Sequence, residues 1–83
     1  MFNSRQQLQM FVEQHPGVQL RRFEAMPSGP GYATSWSCVY RISSFEHGGW
    51  EDVTGEPAGT KTGSEENTAK VALLRLKHWF SEL

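Results

Sequence analysis

From Trp36 to Ser43 the chain alternates without interruption, with Trp36, Cys38, Tyr40 and Ile42 on one side and Ser37, Val39, Arg41 and Ser43 on the other. A period of two belongs to a β-strand, and a strand with one apolar face has to bury that face while its backbone pairs with neighbours. The chain must therefore supply partner strands and a covering layer. Val18 to Met26 carries Leu20, Phe23 and Ala25 among Gln19, Arg21, Arg22 and Glu24, an imperfect alternation that predicts a strand shifting face once. Trp50 to Thr54 predicts a short third strand carrying Trp50 and Val53. Pro27-Ser28-Gly29-Pro30-Gly31 is a dense turn signal, and Ser44 to Gly49, ending in Gly48-Gly49, reads as a hairpin connection. Three antiparallel strands are expected.

The covering layer is expected from the two ends of the chain. Leu8, Phe11 and Val12 recur at helical spacing among polar neighbours, which predicts a helix from Ser4 to Gln14 capped by Asn3 or Ser4 and stopped by His15-Pro16-Gly17. Ala69, Ala72, Leu73, Leu76 and Phe80 form a longer apolar stripe, with Lys70, Arg75, Lys77 and His78 towards the polar faces. It predicts a helix over about 65–81, with Ser64 as cap and Glu65 and Glu66 as ordinary first-turn acids at the positive end of the helix dipole. The Gly, Ser, Thr and Pro-rich stretch from Thr54 to Ser64 reads as a loop. At 83 residues and 9.4 kDa the chain has room for one domain, 1–83 with a core of about 4–81. The fold class is α+β, ordered α-β-β-β-α, with a three-stranded antiparallel sheet and both helices packed on one face.

Eight Lys and Arg against nine Asp and Glu give a net charge of -1, so any nucleic-acid binding has to come from a local patch. The single cysteine, Cys38, fits a reducing, intracellular compartment, cytoplasmic or nuclear, and is expected to be buried as a small hydrophobe. No apolar run approaches the roughly 18 residues of a membrane span, and Met1 to Gln14 lacks a signal-peptide pattern, so neither a membrane association nor secretion is expected. His15, His47 and His78 are too scattered for a metal site. Gly55 to Thr62 has neither the residue order nor the parallel setting of a phosphate loop. No catalytic residue, cofactor or small-molecule substrate is implied. Trp36, Trp50 and Trp79 are read as core or helix-sheet packing, with Trp79 also a candidate exposed patch beside Leu76 and Phe80.

The order of elements, together with three motifs, resembles the double-stranded RNA-binding domain over roughly Ser4 to Leu76. Leu8-Gln9-Met10-Phe11 stands where that family has Leu-Asn/Gln-Glu-Tyr/Phe in its first helix. Gly29-Pro30-Gly31-Tyr32 is similar to its Gly-Pro-x-His loop, and Ala69-Lys70-Val71-Ala72-Leu73-Leu74-Arg75-Leu76 to its Ala-x-x-Ala-Leu-x-x-Leu tail. The resemblance implies a noncatalytic module that recognises A-form RNA by shape, through groups in the first helix, the loop and the start of the second helix. On this chain those are Gln6 and Gln9, Pro30, Gly31 and Tyr32, and Lys61 and Lys70, with Arg5 assisting.

Met10 replaces the family's glutamate, Tyr32 its histidine, and the Lys-Lys-x-Ala-Lys signature is eroded in two alternative registers. Without a gap, Lys61, Thr62 and Glu65 stand at the three lysines; with one residue inserted, so that Ser64 is the cap, Glu65, Glu66 and Lys70 do. Weakened RNA affinity is the expectation. The rival is an interaction module of the same fold that docks a protein or forms a homodimer, which the near-neutral charge favours.

Overall fold

The computed structural model describes residues 2–45 and 47–81. In chain order these form α1 (Ser4–Gln14), β1 (Val18–Arg22), β2 (Met26–Ser28), a short 3-10 turn (Gly31–Ala33), β3 (Ser35–Ser37), β4 (Val39–Ser44), β5 (Trp50–Thr54) and α2 (Lys61–Ser81). The architecture is α+β, with two helices and a three-stranded antiparallel sheet ordered β1-β4-β5. β2 and β3 pair separately as a two-stranded ribbon.

α1 has the expected limits. Asn3 is its cap: Asn3 Oδ1 accepts from the Gln6 amide at 2.8 Å, and Gln6 Oε1 accepts in return from the Asn3 amide at 3.0 Å. This reciprocal box satisfies two donors that a helix start leaves without partners. Beyond His15, Pro16 and Gly17 turn the chain back into β1, so β1 runs towards the start of α1.

The face shift expected between Val18 and Met26 is a bulge. Arg22 lies opposite Tyr40 and Met26 opposite Ser37, leaving three residues on one side against two on the other. The bulge lets Val18 and, seven residues later, Ala25 both be buried, which a regular strand would forbid. It also divides each long strand in two, so the expected strands over 18–26 and 34–43 become β1 with β2 and β3 with β4. At the break, the Cys38 carbonyl accepts from Thr54 Oγ1 at 2.6 Å and from Thr68 Oγ1 at 3.0 Å. Thr68 is fully buried, and its hydroxyl also accepts from the Gly55 amide at 3.0 Å. One side chain thus ties α2 to the sheet and to the chain leaving β5.

α2 begins one turn earlier than its sequence suggests. Thr60 is the cap: its Oγ1 accepts from the Gly63 amide at 2.9 Å and its carbonyl from the Ser64 amide at 3.1 Å. Ser64 is inside the helix and fully buried, its hydroxyl donating to the Lys61 carbonyl at 2.8 Å. Glu65 and Glu66 therefore lie in the second turn. The expected loop ends at Thr60, and its middle is held by a backbone pair between Ala58 and Trp36, at 2.7 and 3.0 Å.

The core lies between helices and sheet, where Leu8 of α1, Ala69, Ala72, Leu73 and Leu76 of α2, and Cys38, Tyr40, Ile42 and Val53 from the sheet side are buried together. The Cys38, Tyr40 and Ile42 face is the inner one, as the alternation predicts, and burial pushes the Cys38 thiol pKa up. Trp36 and Trp79 pack against this core, and Trp79 also stacks on His47 at 3.9 Å between ring centroids, pinning the β4–β5 hairpin to the end of α2. Trp50 does not join them. It lies opposite Ser43 on the outer sheet face and is 46% exposed, with the Arg21 guanidinium 5.6 Å from its ring centre.

A Cβ built on Gly55 would sit 2.4–2.5 Å from the backbone of Asn67 and Thr68, whereas one on Gly59 would meet nothing within 4 Å. Gly55→Ala is expected to cost about 3 kcal/mol or more, because helix backbone cannot step aside as a side-chain tip can. Gly59→Ala should stay within about 0.5 kcal/mol of the parent. Urea denaturation of the two variants checks the close approach.

Candidate nucleic-acid interface

Because β1 runs back towards the start of α1, the end of β1, the first turns of both helices and the root of the β2–β3 ribbon gather at one end of the molecule. An open groove of about 720 Å³ lies there, lined by Asn3, Arg5, Gln6, Gln9, Arg22, Phe23, Glu24, Tyr40 and Glu65. Tyr40 contributes the inner face of β4, and burial raises its phenol pKa.

Three expected contact residues share this groove, Gln6, Gln9 and the assisting Arg5. Gln6 is exposed, with its carbonyl oxygen committed to the capping box. Gln9 accepts from Arg22 Nη2 at 2.6 Å and donates to Glu13 at 3.1 Å. Arg22 is a groove residue that the sequence reading did not single out. Its signal was its even spacing from Val18 and Leu20, which directs it to the helix-facing side of β1.

Lys61 stands at the rim, its Nζ 3.2 Å from Glu24 Oε1. Pro30, Gly31 and Tyr32 form the tip of the ribbon, where Tyr32 is 93% exposed and Gly29, at a φ of 86°, makes the turn that side-chain-bearing residues resist. Lys70 is not brought to this end. It lies nine residues along α2 from Lys61, two and a half turns at about 3.6 residues per turn, and so on the opposite side of the helix.

With Thr60 as cap and Ser64 buried within α2, Lys61 and Thr62 open the helix and Glu65 stands one turn on. Only one of the three positions is basic.

The electrostatics of the groove are dominated by pairing. Glu66 reaches the start of α1, where the Ser4 amide donates to Oε2 and the Arg5 amide to Oε1 at 3.1 Å. Arg5 Nε lies 3.4 Å from Glu66 Oε1, outside hydrogen-bond geometry, and Arg5 Nη1 lies 3.4 Å from Glu65 Oε2. With Lys61 held by Glu24, two of the three cations at this end are balanced by carboxylates, and Arg22 is bound by an amide. Local spacing makes Glu65 and Glu66 acids of their own helix start, but both contact the neighbouring helix, which spacing does not reveal.

Cys38, His15, His47 and His78 do not converge, and among the described residues no group of His, Cys, Asp or Glu is arranged to hold a metal. No described helix is long and apolar enough to cross a membrane. No family model, curated protein or solved structure matches the chain.

Partial burial of the Glu66 carboxylate acts to raise its pKa, but the Ser4 and Arg5 amides and the Arg5 charge outweigh this and hold it below the ordinary glutamate value of 4.5. A depressed folded-state pKa means that the stabilisation is complete above the unfolded value and is lost as pH falls through the folded one. Glu66→Ala should cost about 1–2 kcal/mol at pH 7, the scale of a lost helix cap. Its deficit relative to the parent should shrink as pH drops below about 4.5. Denaturation midpoints of parent and variant between pH 7 and pH 3 test both the size and the sign.

Proposed function

We propose that the chain is a noncatalytic module that recognises duplex RNA by shape, with low affinity, in a reducing intracellular compartment. The observation that carries this reading is the gathering at one end of the molecule of the start of α1, the start of α2 and the root of a projecting glycine-proline loop. Three separated contact regions on one side are what a ligand with successive grooves requires, since A-form RNA is read largely through 2'-hydroxyls and phosphates across two minor grooves and the major groove between them. Gln6, Gln9 and Arg22 supply donors for a minor groove, the Pro30 to Tyr32 tip meets a second, and Lys61 faces phosphate. Lys70, on the far side of α2 from Lys61, stands outside this set.

Low affinity follows from charge. Phosphate contacts dominate duplex binding, and here Arg5 and Lys61 already hold carboxylates of their own chain. The same observation favours a second reading, an interaction module that has kept the layered fold and docks a protein or a second copy of itself.

Amide chemical-shift titration with an RNA duplex of about 16 base pairs, and with the matching DNA as control, separates the readings. RNA binding should move Gln6, Gln9, Arg22, Gly31, Tyr32 and Lys61 together, leave Lys70 unmoved, and weaken with salt. Thr62→Lys combined with Glu65→Lys restores the basic triplet while leaving Glu66 on α1, and should steepen the logarithmic salt slope by about 2. Binding by the double variant alone would reject native RNA recognition in favour of protein docking, and silence from both would remove the RNA-facing geometry as well.

A further inference from the structure

We infer that the groove between α1 and α2, on the side of the helical layer away from the sheet, docks an acidic amphipathic helix of a partner protein. The inference stands apart from the RNA reading and gives the protein-docking reading a surface and a partner chemistry.

It begins from the fate of the eight basic side chains. Arg5, Arg41, Lys61 and Arg75 hold carboxylates. Arg21 lies over Trp50, and Arg22 donates to Gln9. Lys70 and Lys77 remain, both exposed and with no ion pair, hydrogen bond or ring contact among the described residues. They are seven residues apart on α2, which at 3.6 residues per turn puts them on one side, about 10 Å apart along the axis. Leu74, 59% exposed, lies between them on the same stripe.

Lys77 also lines the groove, with Leu73 of α2 and Phe2, Met10 and Phe11 from the α1 side. Phe2 is 56% and Met10 38% exposed, and the groove's lining includes no carboxylate. One of the two unpartnered cations, Lys77, therefore lines a mostly apolar trough that also includes Gln7 and Gln14, and Lys70 stands two turns before it on the same side of α2. A volume of about 210 Å³ falls below the roughly 300 Å³ at which small-molecule pockets begin. The trough suits side chains presented in a row instead. A helix laid along it would insert apolar residues at i, i+3 or i+4 and i+7 between the two helices and offer acids two turns apart to Lys70 and Lys77. Of the lining, Phe2, Met10, Phe11 and Leu73 offer phosphate and ribose no hydrogen bond and only Gln7, Gln14 and Lys77 do, which favours an apolar helix face over RNA on this side.

The test uses the whole chain, isotopically labelled, and a designed peptide of about 18 residues, long enough to be helical in water. It carries Leu at i, i+3, i+4 and i+7 and Glu on its flanks; a second peptide has Lys for every Glu. The acidic peptide is expected to shift Phe2, Met10, Gln14, Lys70, Leu74 and Lys77 and leave Gln6 and Lys61 unmoved. Lys70→Glu with Lys77→Glu should weaken it about tenfold, the sum of two exposed ion pairs, and Leu74→Glu should abolish binding without disturbing the fold, because Leu74 is exposed. Equal binding of the two peptides, no shift at millimolar acidic peptide, or the same residues moving with duplex RNA each overturns the inference. So does concentration-dependent self-association that Leu74→Glu removes, since a second copy would then occupy the groove.

Discussion

The carboxylate of Glu66 on the first amides of α1 is the contact on which the arrangement of the helical layer rests. A helix start exposes amides that need acceptors and a positive dipole end that favours an anion. Asn3 serves one amide from within α1, and Glu66 serves two more from across the layer. Because the accepting carboxylate lies near the start of α2, the two starts are held together, and Phe11 and His15 at the other end of α1 reach Phe80 at the end of α2. The helices therefore run parallel, an arrangement that places like dipole ends side by side, and the carboxylate supplies the negative charge that offsets this where the positive ends meet.

The same contact sets the chemistry of the molecule's end. A surface that attracts phosphate leaves its cations to solvent, whereas here Glu65, Glu66 and Glu24 hold Arg5 and Lys61. Shape and charge are separate here: the groove is open, while two of the three cations at this end are held by carboxylates of the same domain. Among the described residues, the two lysines without a partner, Lys70 and Lys77, lie elsewhere, on one side of α2.

Much of this was legible from periodicity. The limits of α1, the inward face of Cys38, Tyr40 and Ile42, and the face shift that became the bulge at Phe23 to Ala25 all follow from spacing that local geometry enforces. The start of α2 was obscured because Thr60 and Ser64 are both good caps one turn apart, and burial of Ser64 against the core decided between them. Trp50 follows from parity: it stands three residues before the inward Val53, so the two must lie on opposite faces. The role of Glu66 had no local signal at all, since its partners are more than sixty residues away in sequence.

The outer sheet face is where an open sheet would ordinarily be adhesive, and here its own cations serve as covers. Arg21 lies 5.6 Å from the centre of the Trp50 ring and Arg41 5.4 Å from that of Phe23, while Arg41 Nε donates to Asp52 at 2.7 Å, a hydrogen bond that lowers the Asp52 pKa. Each guanidinium screens an aromatic from passing hydrophobes, and Asp52 sets a charge on the β5 edge where a foreign strand would have to pair. The outer face and the β5 edge are thereby made poor templates for aggregation. A chain this small, with one sheet face guarded, can change its partners by substitutions on two helices without exposing itself to indiscriminate strand addition.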